Sequence, residues 1–259
     1  MSLSDVDREA LRTAKHLLET PGLGARITGM IGMPMEKALE LLPAHWTDVV
    51  SRATRKSLDT ALHLALTTLG DHERPRARDA LHRLAVAATG AGGGAFGLMG
   101  LPLELPVSTT IMLRSIADIA RSEGEQLQTP EAKMACLEVF ALGGRSAADD
   151  ASESAYFLVR AALAKSITDA AAFVAQRGLA EQGAPALLRL VAQIASRFGA
   201  TVSQKLAAQA VPVVGAAGGA VINVMFIDHF QDMARGHFTV RRLERLYSPE
   251  LIRAEYDKL

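Results

Sequence analysis

The stretch KLAAQAVPVVGAAGGAVINVMFIDHFQDMARGHF, residues 205–238, decides how the chain is read. From Leu206 to Ile227 it carries no charge for 22 residues, and it then passes into the acids, histidines and arginine of DHFQDMARGH. About 20 apolar residues are enough to cross a bilayer. Three readings therefore compete: a membrane span, a buried core helix, or the wall of a site for an apolar ligand. The apolarity here is mostly alanine and glycine, interrupted by Gln209, Pro212 and Asn223. Such a run is marginal on a transfer scale, which favours a buried helix or a cavity wall over a permanent span.

A second apolar segment, residues 84–113, is also rich in glycine and proline. It carries Glu104 between Pro102 and Pro106, and a carboxylate at mid-bilayer is costly while the prolines free backbone groups. Gly93 and Gly97 are four apart, as are Gly215 and Gly219, a spacing that lets two helix backbones approach closely. Both segments run on into similar sequences. IMLRSIADIAR (111–121) aligns with MFIDHFQDMAR (225–235) at an offset of 114, matching Asp118 with Asp232 and Arg121 with Arg235. If this is an internal duplication, two related half-units pack about a pseudo-twofold axis.

Composition narrows the class. Hydrophobic residues make up 49% of the 259-residue chain but aromatics only 5%, so the apolar content is alanine, leucine and valine, which suits closely packed helices. Lysine plus arginine equals aspartate plus glutamate, 28 against 28, so no overall basic field exists to attract nucleic acid. A single cysteine, Cys136, rules out an internal disulfide or a multi-cysteine zinc site and fits a reducing cytoplasm. The amphipathic start, MSLSDVDREALRTAKHLLE, does not read as a secretory signal.

Helix punctuation is frequent. Ser4 and Asp7 cap a helix over about 4–19, and TPGLGARITGMIGMP (20–34) reads as a Gly/Pro connector. A short helix runs from Pro34 to near Leu42. The next covers about 44–69, with one stripe of Trp46, Val49, Val50, Ala53, Leu58, Leu62, Leu66 and Leu69. Further helices are expected after Pro75, from Pro106, from Pro130 to about Leu142, and over about 147–177 and 185–210, with Asp149 and Asp150 an acidic first turn. The C-terminal RRLERLYSPELIRAEYDKL reads as a short helix and a second one capped by Ser248. No alternating β-branched run occurs. The expected fold is all-α: one domain over residues 1–259, with roughly nine or ten helices around the two Gly/Pro-rich segments. Residues 1–43 form its N-terminal helix and connector, and residues 238–259 its short C-terminal helices.

The chain resembles the EcsC family of bacterial proteins. The resemblance covers most of the chain and rests on TPGLGARITGMIGMPMEKALELLP, on RSIADIARSEGE and, most specifically, on AVPVVGAAGGAVINVMFIDHFQDMARGHFTVRRLERLY. Many members continue the middle motif into a Tyr/Gly pair where this chain has SEGE. The family carries no established activity, so the resemblance transfers no catalytic residue. It implies an α-helical protein in the cytosol or at a membrane, with a link to transport through the gene neighbourhood of one lineage.

Candidate site residues lie in and beyond the two segments. Gly93, Phe96, Gly97, Met99, Met112, Val214, Gly215, Gly219, Met225 and Phe226 would form an adaptable apolar wall, since methionine suits irregular apolar surfaces. Glu104, Arg114, Asp118, Asp228, His229, Asp232 and Arg235 would form its polar mouth, where an arginine could meet a carboxylate or phosphate head. Asp228 and Asp232 share a helix face with His229 beside it and His237 eight residues on, a set able to bind a divalent metal or do acid–base work. The simpler alternative pairs Asp118 and Asp232 with Arg114, Arg121 or Arg235 to fix helix register. No HExxH, GxSxG or P-loop pattern is present, and the remaining histidines (16, 45, 63, 72 and 82) sit on amphipathic helices or their ends. The RRLER cluster, 241–245, would be a solvated face or touch anionic lipid.

The first expectation is a non-enzymatic cytoplasmic protein without cofactor, which binds a lipid or fatty-acyl-like ligand or docks reversibly on the inner, cytoplasmic face of the membrane. The alternatives are a soluble scaffold for a membrane-protein partner such as a transporter, and a metal-dependent hydrolase using Asp228, Asp232 and His229.

Overall fold

The computed structural model describes residues 3–19, 22–69, 100–144, 155–177, 184–211 and 215–259. Among them are ten helices and no strand. They are α1 (Asp5–Glu19), α2 (Leu23–Ile31), α3 (Met35–Glu40), α4 (Trp46–Thr68) and α5 (Leu101–Ser122). The others are α6 (Pro130–Leu142), α7 (Ala155–Arg177), α8 (Pro185–Ala210), α9 (Gly215–Leu246) and α10 (Pro249–Lys258). The helix expected after Pro75, the acidic turn at Asp149 and Asp150, and most of the first Gly-rich segment lie outside the described residues.

The uncharged run Leu206–Ile227 is divided between two helices: α8 ends at Ala210 and α9 begins at Gly215. Among the described residues no helix is long and apolar enough to cross a membrane.

Caps fix several ends as the sequence indicates. The Asp7 backbone N–H donates to Ser4 Oγ (3.1 Å), that of Ala132 to Thr129 Oγ1 (3.3 Å) and that of Leu251 to Ser248 Oγ (3.2 Å), each satisfying a first-turn donor that the helix cannot. Three boundaries differ. The 20–34 stretch is no simple connector, because Leu23–Ile31 is helical and buries Leu23 and Ile27, four apart, against α8 and α9. Gly32, at φ +65°, ends that helix in the left-handed region where glycine carries no Cβ penalty. Helix α5 starts at Leu101 rather than Pro106; the lost N–H of Pro106 sacrifices one intrahelical bond near the start, where few have yet formed. RRLERL is the last turn and a half of the 32-residue α9, not a helix of its own.

Helices α8 and α9 form the centre. Helix α8 touches α2, α3, α4, α6, α7 and α9, while α9 touches α1, α2, α5, α6, α8 and α10. Helix α6 is buried on nearly all sides, from Ala132 through Leu142, as expected of a helix without a polar face. The rings of Phe140, Phe198, Phe226 and Phe230 meet where α6, α8 and α9 converge, at centroid separations of 5.0–6.0 Å. Helices α5 and α9 run parallel: Glu104 meets Asn223, Ser115 meets Gln231 and Glu123 meets Arg242, in rising order along both.

Two close approaches require glycine. A Cβ on Gly236 would stand 2.6 Å from Leu18 Cγ and 3.0 Å from the Ala14 carbonyl, so α1 lies directly on the α9 backbone there. At the end of α6, a Cβ on Gly143 would enter the Phe230 ring and one on Gly144 would collide with the Arg197 carbonyl of α8. A backbone oxygen cannot rotate away as a side chain can. Gly144→Ala is therefore expected to destabilise the protein by about 1–3 kcal/mol, the range for overpacking a tight interior. Urea unfolding checks this, and an unchanged midpoint would show that α6 stands off α8.

Candidate functional site

Among the described residues, those of the proposed wall and mouth do not come together as one site. Of the wall residues, Gly93, Phe96, Gly97, Met99 and Val214 lie outside the described residues. Gly215 opens α9, Gly219 is buried, and Met225 is half-buried against the core. Met112 and Phe226 are fully buried in the core cluster. The polar residues separate into three places.

The first is interior. Lys205, fully buried, donates to Glu104 Oε1 at 2.6 Å, and Asn223 Nδ2 donates to the same oxygen at 3.0 Å. This ties α8, α5 and α9 at one point. The Lys205 ammonium also lies 4.9 Å from the Phe226 ring centre, within cation–π range. Burial nonetheless lowers the lysine pKa, outweighing the pull of Glu104.

The second is a pair of intrahelical ion pairs, the first largely buried and the other partly exposed. Asp118 accepts from Arg121 at 2.8 Å and Asp232 from Arg235 at 2.9 Å, with Arg26 of α2 3.7 Å from Asp232. The partners are among those of the simpler sequence reading, but both pairs lie within one helix, and only Arg26–Asp232 joins two helices. Arg114 is exposed, at 1.5 Å rise per residue roughly 15 Å along α5 from Glu104.

The third is the end of α6. His229 Nε2 lies 2.8 Å from the Gly143 carbonyl, Thr201 donates to that same carbonyl at 3.2 Å, and Arg197 Nε donates to the Ala141 carbonyl at 3.1 Å. These side chains satisfy carbonyls that the end of a helix leaves without intrahelical donors. His229 thus turns away from Asp232, which faces Arg235 and Arg26. Among the described residues no three His, Cys, Asp or Glu side chains are grouped to hold a metal.

The structure assembles a different polar site that the sequence reading missed. A groove of about 500 Å³ lies between α7, α9 and α10, with Glu138 of α6 at its base. Phe157, Ala161, Ala164 and Ile167 line one side, and Arg160, Arg241 and Arg253 face into it. Arg160 makes a two-pronged pair with Glu244 (2.7 and 3.0 Å), and Arg241 another with Glu125 (2.8 and 3.2 Å). Arg245 also bonds Glu125, and Arg242 bonds Glu123 at 2.8 Å. The RRLER arginines are thereby committed to the SEGE connector after α5, rather than forming a solvated basic face.

Behind the groove is a buried chain of titratable groups. Glu138 is 4% exposed, and His237 Nε2 lies 3.6 Å from its Oε2. His237 Nδ1 lies 3.0 Å from Tyr156 Oη. Burial pushes the Glu138 carboxyl up to about 7, although Arg160 and Arg241 oppose the shift. Burial, helped by those same arginines, holds the His237 pKa well below the usual imidazole range, so the ring is neutral. Cys136, also fully buried, is pushed up to about 12 and stays an unreactive thiol. One sequence signal existed: Glu138 is a lone carboxylate inside the apolar run MACLEVFAL. Its partners are distant in sequence, so periodicity could not find them.

A model of the EcsC protein family matches residues 7–243. The chain belongs to the EcsC family. No curated protein and no solved structure gives a significant match. The EcsC match takes in α1 to α8 and nearly all of α9 but ends before α10, so Pro249, Glu250 and Arg253 on the groove's outer wall lie beyond it.

Proposed function

We propose that this EcsC protein is a non-enzymatic helical protein that docks reversibly on a membrane surface through the end formed by the starts of α5 and α9. One observation carries the reading. Leu103 is 81% exposed, and Val107 and Val221 are each 49% exposed, on parallel helices whose described residues show no charge to solvent before Arg114 and Asp228. Glu104, the one ionisable residue between Leu101 and Leu113, is turned inward onto Lys205. Scattered exposed leucines need no explanation, but apolar side chains grouped on an uncharged face favour contact with something apolar. Three partly inserted side chains give weak binding, since full burial of one contributes about 1.5–3 kcal/mol. Such contact is reversible.

The test is flotation of the full chain with phosphatidylcholine vesicles. The wild type is expected to float with lipid, and Leu103→Glu to reduce the vesicle-bound fraction by about tenfold, because a charge replaces apolar surface at the contact. The position is exposed, so the fold is retained. A wild type that never floats overturns the reading, and equal flotation of the variant removes this end as the contact.

A further inference from the structure

We propose that the groove between α7, α9 and α10 is a binding site for a small amphiphilic oxyanion, a ligand carrying a phosphate or carboxylate on a short apolar body. The groove lies toward the other end of the molecule from Leu103. From Asn223 to Arg241 along α9 is roughly 27 Å at the usual helical rise. The inference stands apart from the membrane-docking reading.

The argument is one of donors and acceptors. Both oxygens of Glu244 are taken by Arg160, and both oxygens of Glu125 by Arg241. Each guanidinium has five N–H donors and uses two of them in its pair, so donors are left over on both. Arg160 uses Nη1 and Nη2 toward Glu244 and Arg241 uses Nε and Nη2 toward Glu125. Arg253 has no carboxylate within ion-pair distance among the described residues; its guanidinium rests 5.3 Å from the centre of the Phe157 ring. Glu250 sits exposed at the rim, where water screens it.

At the base, Glu138 makes no hydrogen bond among the described residues. Burial pushes its carboxyl up to about 7, so below that pH it is the acid and offers an O–H to an incoming oxygen. The groove therefore has a surplus of donors, which is complementary to an acceptor-rich ligand. Planar guanidinium groups recognise phosphate and carboxylate with two parallel bonds, and the Phe157 face holds Arg253 in place for this. The apolar side, from Phe157 to Ile167, gives the ligand's hydrocarbon a surface to cover. A volume of about 500 Å³ falls within the range of small-molecule clefts.

Isothermal titration calorimetry of the full chain with octyl phosphate, octanoate and octyltrimethylammonium, all below their micelle concentrations, tests the proposal. The two anions are expected to bind and the cation not to. Arg253→Ala should weaken octyl phosphate by about tenfold, the loss of one charge-assisted contact. Ala164→Trp, on an exposed position of α7, should abolish binding by filling the groove. Leu103→Glu should leave it unchanged, which separates this site from vesicle contact. Preference for the cation, or anion binding indifferent to both groove variants, overturns the proposal. Inorganic phosphate binding as tightly as octyl phosphate overturns the amphiphilic part, because the apolar wall would then contribute nothing.

Discussion

Lys205→Met alone is expected to lower stability by about 3–5 kcal/mol, the cost of removing one partner from a buried ion pair. Lys205 is fully buried on α8 and its ammonium bonds Glu104 Oε1 at 2.6 Å. Methionine fills a similar volume, so packing is largely kept. What is lost is the charge that neutralises Glu104, itself 8% exposed and left with the Asn223 amide. Asn223 Oδ1 has no hydrogen-bond partner among the described residues, and an amide carries no charge to replace a cation. The double variant Glu104→Gln/Lys205→Met removes both charges while keeping an acceptor for Asn223. It should recover most of the loss, because removing both charges together leaves neither buried without its partner. Urea unfolding of the wild type, both single variants and the double variant gives the coupling directly. A single variant within about 1 kcal/mol of wild type would mean that water reaches this pair.

The second large effect depends on pH. In the folded protein the Glu138 carboxyl titrates at about 7 against an ordinary value of 4.5. Between those values the native state holds more protons than the unfolded chain, so stability falls as pH rises from 4.5 through 7. At about 1.4 kcal/mol per pH unit the loss is about 3 kcal/mol, complete above pH 7. Glu138→Gln cannot ionise and escapes it. The variant should match the wild type in acid and exceed it by about 3 kcal/mol near pH 8. The groups facing Glu138 are Arg160, Glu244, Arg241, His237 and Tyr156. Among these, His237 is already neutral, Tyr156 is pushed upward by burial, and the arginines stay charged. The variant-minus-wild-type difference, from urea curves at several pH values, therefore isolates Glu138. A difference independent of pH would show that the carboxyl is solvated.

Much of the architecture was legible because it is written locally. Thr129–Pro130 and Ser248–Pro249 state a cap and a first turn within two residues, and both open helices. The stripe from Trp46 to Leu69 gave α4, since period and burial are the same information there. Pairing of Asp118 and Asp232 with the arginines three residues on was equally local. The stretch Leu23–Ile31 was misjudged because its glycines argue against a helix, and only α8 and α9 behind it supply the burial that overrides them. His229 read as a site residue because its partner, the Gly143 carbonyl, is 86 positions away.

By itself the sequence determined an all-helical chain of the EcsC family, its main helix starts, and the uncharged run from Leu206 to Ile227. Capping, amphipathic period and charge gaps are properties of neighbours in the chain. The tertiary structure alone decided that the uncharged run is split between two helices, that Glu104 is neutralised by Lys205, and that RRLER is spent on Glu123 and Glu125. It also decided that Glu138 and three arginines meet at one groove, with His237 and Tyr156 buried behind it. Those outcomes depend on which side chains share a low-dielectric interior, and hydrogen bonds and pKa shifts there are set by three-dimensional neighbours that no local pattern encodes.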